Sequence, residues 1–128
     1  MKLNPDCIRD ILLEIEEIPS IKHYYRFDSK SILEKFPTYT VEEIMYHLRQ
    51  CELHGFLLNP SHGINYEYYV VYDLTPKGHE FLANIRNNNF FNKVKGIAQE
   101  LGISSLKDLT QIATSCATIL IKSHFNLP

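Results

Sequence analysis

Apolar residues recur along this chain at two periods, and the changes of period mark out its elements. Ile8, Ile11, Leu12, Ile15 and Ile18 fall on one face of a helix that Asn4 caps and Pro5 begins. Pro19 stops it. Residues 23–27 are aromatic and read as a short strand. Ser29 then caps a second, short helix carrying Ile32, Leu33 and Phe36 on one side, ended by Pro37. Thr40-Val41-Glu42-Glu43 has the form of a capping box, in which Thr and Glu each satisfy the other's backbone N–H. It opens a third helix with Ile44, Leu48 and Cys51 on its apolar side, and Gly55 closes it.

Past Gly55 the period falls to two. Residues 56–58 read as a strand, 59–63 as a turn, and 66–74 as one long strand. Alternation in that strand sets Tyr66, Tyr68, Val70, Tyr72 and Leu74 on one face and Glu67, Tyr69, Val71 and Asp73 on the other. The helical period returns at Thr75-Pro76, a cap followed by a first helical proline, with Phe81, Leu82 and Ile85 inside. The triplet Asn87-Asn88-Asn89 breaks that helix. Phe90, Phe91, Val94, Ile97, Ala98 and Leu101 make a fifth helix closed by Gly102, and Ser105 opens a sixth. Its stripe is Leu109, Ile112, Ala113, Cys116, Ala117 and Leu120.

The order helix, strand, helix, helix, strand, turn, strand is that of a winged helix-turn-helix. The expected fold is therefore mainly α with a small β-hairpin: a winged helix over 1–86 and a C-terminal helical extension over 87–128 packed on it as a single structural domain. Leu53-His54-Gly55-Phe56-Leu57 and, after the hairpin, Tyr72-Asp73-Leu74-Thr75-Pro76-Lys77-Gly78 resemble the pattern that brackets the wing in many bacterial winged-helix regulators. A larger set resembles the domain of unknown function 2513 family of short phage and bacterial proteins. It comprises Ile11-Leu12-Leu13-Glu14-Ile15-Glu16-Glu17, Tyr46-His47-Leu48, Gly55-Phe56-Leu57, Leu74-Thr75-Pro76-Lys77-Gly78-His79-Glu80-Phe81-Leu82, Ile85-Arg86 and Asn92-Lys93-Val94-Lys95, and covers residues 5–120. That resemblance implies a winged-helix-like fold and a prokaryotic or phage origin, and supplies no catalytic residue. The chain departs from the family in its longer Tyr-rich strand and its Phe90-Phe91 pair.

Composition narrows the function. At 128 residues with 45% hydrophobic side chains the chain can bury a core without disulfides or metals. Cys7, Cys51 and Cys116 are odd in number and far apart, which argues against a disulfide framework and for a cytoplasmic location. No apolar leader follows Met1. The stretch 112–121 is too short for a bilayer and is broken by Thr114, Ser115 and Thr118, so no membrane partner is expected. Net charge is -2, where a DNA-binding domain usually carries a basic excess.

Candidate residues lie on the third helix and the hairpin. Tyr46, Arg49 and Gln50 point away from the apolar face and are candidates for contacts in the major groove of double-stranded DNA, or for a solvated surface. Glu42 and Glu43 oppose phosphates at the end that would approach them, and 60–65 holds no Lys or Arg. His62 in the turn is a candidate partner contact or a solvated side chain, and Tyr69, with Tyr66, Tyr68 and Tyr72, offers an aromatic surface for single-stranded nucleic acid or, better without interleaved Lys or Arg, for a protein partner, unless alternate tyrosines cover the core and the rest shield a sheet edge. His47, Cys51 and His54 fall on one helical stripe, but with no fourth ligand in reach they read as structural. Glycine-rich phosphate loops, nucleophile elbows and His-Glu-x-x-His are absent from the sequence, so neither an enzyme nor a cofactor is expected. The sixth helix either docks on its own chain or pairs with a second copy to make a homodimer.

Overall fold

In the computed structural model, which describes residues 1–102, 104–126 and 128, Asn4 opens the first helix, α1 (Pro5–Glu16), by accepting the Asp6 N–H. Cys7, Ile8, Ile11, Leu12 and Ile15 are buried, while Ile18 lies beyond the helix end. The strand β1 (Tyr25–Phe27) turns Phe27 into the core. The next helix, α2 (Ser29–Lys35), starts one residue earlier than a Ser29 cap predicts. Asp28 is the cap, because its carboxylate accepts the Ser31 N–H while the Ser31 hydroxyl accepts the Asp28 N–H. Thr40 and Glu43 form the expected box at the head of α3 (Val41–Leu53), whose inner face is Ile44, Met45, His47, Leu48 and Cys51. Gly55, at φ +79, lets the chain leave α3 sharply.

Four short strands come next: β2 (Leu57–Leu58), β3 (Ser61–His62), β4 (Tyr69–Val71) and β5 (Asp73–Leu74). They form, with β1, two small antiparallel sheets, β1–β4–β3 and β2–β5. The single strand expected over 66–74 is thus divided. It breaks at Tyr72, whose N–H bonds to Leu58 O, and opposite that break Asn59 takes a left-handed φ of 48 ahead of Pro60. The break changes the parity of the strand. Tyr69, Val71 and Leu74 are all buried, whereas strict alternation would have put Leu74 opposite the other two.

Thr75 ties the end of β5 to the next helix. Its hydroxyl donates to Gly55 O (2.6 Å) and accepts the Gly78 N–H (3.1 Å), capping α4 (Pro76–Ile85). Gly78 sits against the Phe56 carbonyl so closely that a Cβ there would stand 2.5 Å from that oxygen.

Asn87 caps α5 (Asn88–Leu101), which Gly102 closes at φ +66, and Ser105 caps α6 (Leu106–His124). With these the structure is mainly helical, six helices among the described residues. Phe91, Val94 and Ala98 of α5 and Leu106, Leu109 and Ala113 of α6 are buried as the two helices pack. The expected stripe of α6 is only half used: Ile112, Cys116 and Ala117 are partly covered and Leu120 is exposed. The contacts group into two units, Met1–His79 and Glu80–Pro128. No helix among the described residues is long and apolar enough to cross a membrane.

Candidate functional site

The inner face of α3 is fixed by His47, which is almost wholly buried. Its Nε2 lies 2.8 Å from the Asn4 nitrogen, a group that can only donate, so Nε2 is unprotonated and Nδ1 carries the hydrogen given to Glu43 O at 2.6 Å. Both ring nitrogens are therefore occupied, Nε2 tying the head of α1 to α3 and Nδ1 bonded within α3 itself. Burial holds this imidazole below its ordinary pKa. Cys51 and Cys7 are packed in the core, and burial pushes the Cys7 thiol up to about 12 and Cys51 up likewise. Among the described residues no group of His, Cys, Asp or Glu is placed to hold a metal ion.

With that face locked, Tyr46, Arg49, Gln50 and Leu53 point outward, Leu53 being 73% exposed. The hairpin supplies the rest of the surface. After Gly63 the chain makes a short turn, residues 64–66, in which Asn65 and Tyr66 both adopt left-handed φ (58 and 57). Asn tolerates that region, but Tyr pays a steric cost, so the surroundings must hold it there. They do so with aromatic contacts. The Tyr66 ring stacks on His62 (4.3 Å between centroids, 15° between planes), and the Arg49 guanidinium lies 5.5 Å from the Tyr66 centroid and 5.8 Å from that of Tyr46. A hollow of about 310 Å³ opens between these side chains, with Glu42, Met45 and Asn65 on its wall. Ile64, 85% exposed, stands at the tip.

Tyr69 corrects an expectation. The sequence puts it at the surface with His62 as a partner contact, yet it is fully buried beneath His62 and Tyr66. Its hydroxyl donates to Glu52 Oε1 (3.0 Å), and burial together with that carboxylate pushes the phenol pKa up. The parity change at Tyr72 is the reason: β4 turns its odd residues inward. Of the other candidates, the structure brings Tyr46, Arg49 and His62 into one surface through Tyr66, and Gln50 lies half-buried next to Arg49 on α3. In the sequence Tyr66 counts only among the hairpin tyrosines. Its signal is local: Asn65 directly after Gly63-Ile64 marks a turn able to fold back.

The electrostatics of this unit are acidic. Residues 1–79 hold eight basic and twelve acidic side chains, a formal charge of −4. Arg26, on the other side of the hairpin, lies over the Tyr68 ring at 4.3 Å and pairs with Asp28 at 3.0 Å.

A family model described as hypothetical protein (DUF2513) matches residues 2–104. The chain belongs to this family. The DUF2513 region takes in α1 to α5 and the hairpin and stops ahead of α6. No curated protein and no solved structure matches the chain.

Proposed function

We propose that this DUF2513 protein is a non-enzymatic winged-helix module that binds a protein partner through the outer face of α3 and the curled hairpin. The winged-helix reading is supported by element order, by α2 and α3 joined through a short turn, and by β1 pairing with the returning strand β4. The observation that carries the choice of partner is the state of Arg49. It is a cation of this surface, it is committed to the faces of Tyr46 and Tyr66, and the unit around it has a formal charge of −4. Holding a duplex requires several phosphates to be neutralised. Tyr, Arg and exposed aliphatic residues are instead what protein interfaces concentrate at their centres.

The test is cross-linking from the hairpin tip in the native host, followed by binding measurements with the purified partner. Arg49→Ala and Tyr66→Ala are each expected to weaken that binding by at least ~10-fold, and Ile21→Ala, at an exposed position away from this surface, to leave it unchanged. A second reading is favoured by one feature: Arg49 and Gln50 are outward-facing on the second helix of the helix–turn–helix pair, where base contacts are made. It makes the chain a transcription-control protein. Retardation of mixed-sequence duplex DNA in low salt, lost in Arg49→Ala, would establish that reading and overturn the first.

A further inference from the structure

Around the junction of α4 and α5 the sequence changes character. Residues 81–99 carry five asparagines with Arg86, Lys93 and Lys95, and no Asp or Glu. The unit Glu80–Pro128 has five basic and three acidic side chains, a formal charge of +2. Asn87 accepts the Phe90 N–H at 3.0 Å, which caps α5 and fixes the corner between the two helices. Asn89, Phe90 and Lys93 follow at spacings that make one patch of α5, and Ala117, Leu120 and Ile121 make another on α6 by the same rule. Between these patches and Asn84 of α4 lies a groove of about 500 Å³, within the roughly 300–1,000 Å³ of small-molecule sites. Its walls differ in kind. Phe90, half-buried, supplies an aromatic ring, and the α6 patch supplies aliphatic surface. Asn84, also half-buried, Asn89 and Lys93 supply polar groups, and none of these three side chains has a hydrogen-bond or ionic partner among the described residues.

We infer that this groove binds a free nucleotide, with the base between Phe90 and the aliphatic residues of α6 and the phosphate on Lys93. Three observations select this ligand. The first is the pair of apolar walls. A flat ring is held well between an aromatic side chain and an aliphatic one, which is how proteins hold isolated bases. The second is the amides. An Asn side chain sets a donor beside an acceptor, as base edges do, and amides pair with bases through both groups. An aliphatic acid would leave the half-buried Asn84 amide unanswered. The third is charge. Lys93 is the one cation lining the groove among the described residues, and it stands in a stretch without carboxylates. One ammonium answers one terminal phosphate, whereas a nucleic-acid strand is tracked by a run of cations.

Isothermal titration of the full chain with 5′-AMP, 5′-GMP, 5′-CMP and 5′-UMP tests the inference. At least one is expected to bind with a Kd below ~0.1 mM, and the matching nucleoside at least ~10-fold more weakly. Phe90→Leu is expected to weaken that nucleotide by at least ~10-fold. Lys93→Met is expected to lower the nucleotide to the affinity of its nucleoside while leaving the nucleoside unchanged, a split that a folding defect does not produce. Gln99→Ala, at an exposed position of α5 outside the groove, keeps wild-type binding. Absence of binding by all of these nucleotides overturns the inference, as does binding indifferent to both Phe90→Leu and Lys93→Met. Octanoate bound more tightly than every nucleotide overturns it too and assigns the groove to an aliphatic acid. A single-stranded oligonucleotide of the same base, bound at least ~10-fold more tightly than the free nucleotide, likewise overturns it and gives the groove to a strand. The groove belongs to a different unit of the chain from Arg49, so this inference and the partner surface proposed above fail independently.

Discussion

Tyr69 shows how much one side chain can organise in a small hairpin. It is the largest fully buried residue, it supports His62 and Tyr66 from below, and its hydroxyl donates to a half-buried carboxylate on α3. Two contributions separate by mutation. Tyr69→Phe keeps the packing and leaves Glu52 without this donor, at a cost of about 1–2 kcal/mol, since hydrogen bonds to charged groups lie at the upper end of the usual range. Tyr69→Ala also opens a cavity and costs roughly 3–5 kcal/mol. Denaturant unfolding of both variants checks the pair. Equal losses would mean that the hydroxyl, and not the ring, holds the hairpin to α3. The residue also shows where a pattern misleads. Alternation across 66–74 names β4 and β5 as sheet-forming but wrongly extends the strand back over 66–68, and it cannot locate the break in parity at Tyr72, because that break depends on Asn59, Pro60 and the Leu58 carbonyl, roughly a dozen positions away.

Between elements, the decisive joint is where the hairpin hands over to α4. Leu74-Thr75-Pro76-Lys77-Gly78 reads in the sequence as a cap and a helix start. The structure adds that Thr75 reaches back to Gly55 O and that Gly78 touches the Phe56 carbonyl. A backbone oxygen cannot move aside as a side-chain end can, so Gly78→Ala forces the strand and helix apart. It is expected to destabilise the protein by about 1–3 kcal/mol despite the better helix propensity of alanine. A thermal melt that rises instead would place the close approach outside the native state. Helices α1, α3, α4 and α5 are legible in the sequence because caps and periodicity are local signals, as Asn4, Thr40, Thr75 and Gly102 all demonstrate. The turn at Asn65 has a local mark, but the landing of Tyr66 on Arg49 is not legible, because a turn signal does not name a contact seventeen positions away. For the same reason α6 reads in the sequence as one buried stripe, although α5 is too short to cover all of it.

For the whole molecule, these polar contacts set a response to acid whose sign is decided by His47. In the fold this imidazole is neutral and accepts the Asn4 N–H, and burial keeps its pKa below the ordinary value of 6.5. His54 is shifted the same way by burial and by Lys77. Between each depressed folded value and 6.5 the unfolded chain binds a proton that the native chain refuses. Stability is therefore complete above that window and declines as pH falls through it, levelling off once the folded group is also protonated. Each proton contributes a slope of up to ~1.4 kcal/mol per pH unit. Asp28 acts lower down: hydrogen bonds from Ser31 and Arg26 hold its carboxyl below the usual range, so its contribution disappears only on further acidification. Urea unfolding at a series of pH values between neutrality and about pH 5 should give a midpoint that falls with acid, and His47→Gln should flatten the upper part of that curve while lowering its plateau. A His47→Gln curve parallel to the wild type would show that the difference in proton binding between folded and unfolded chains arises at another group.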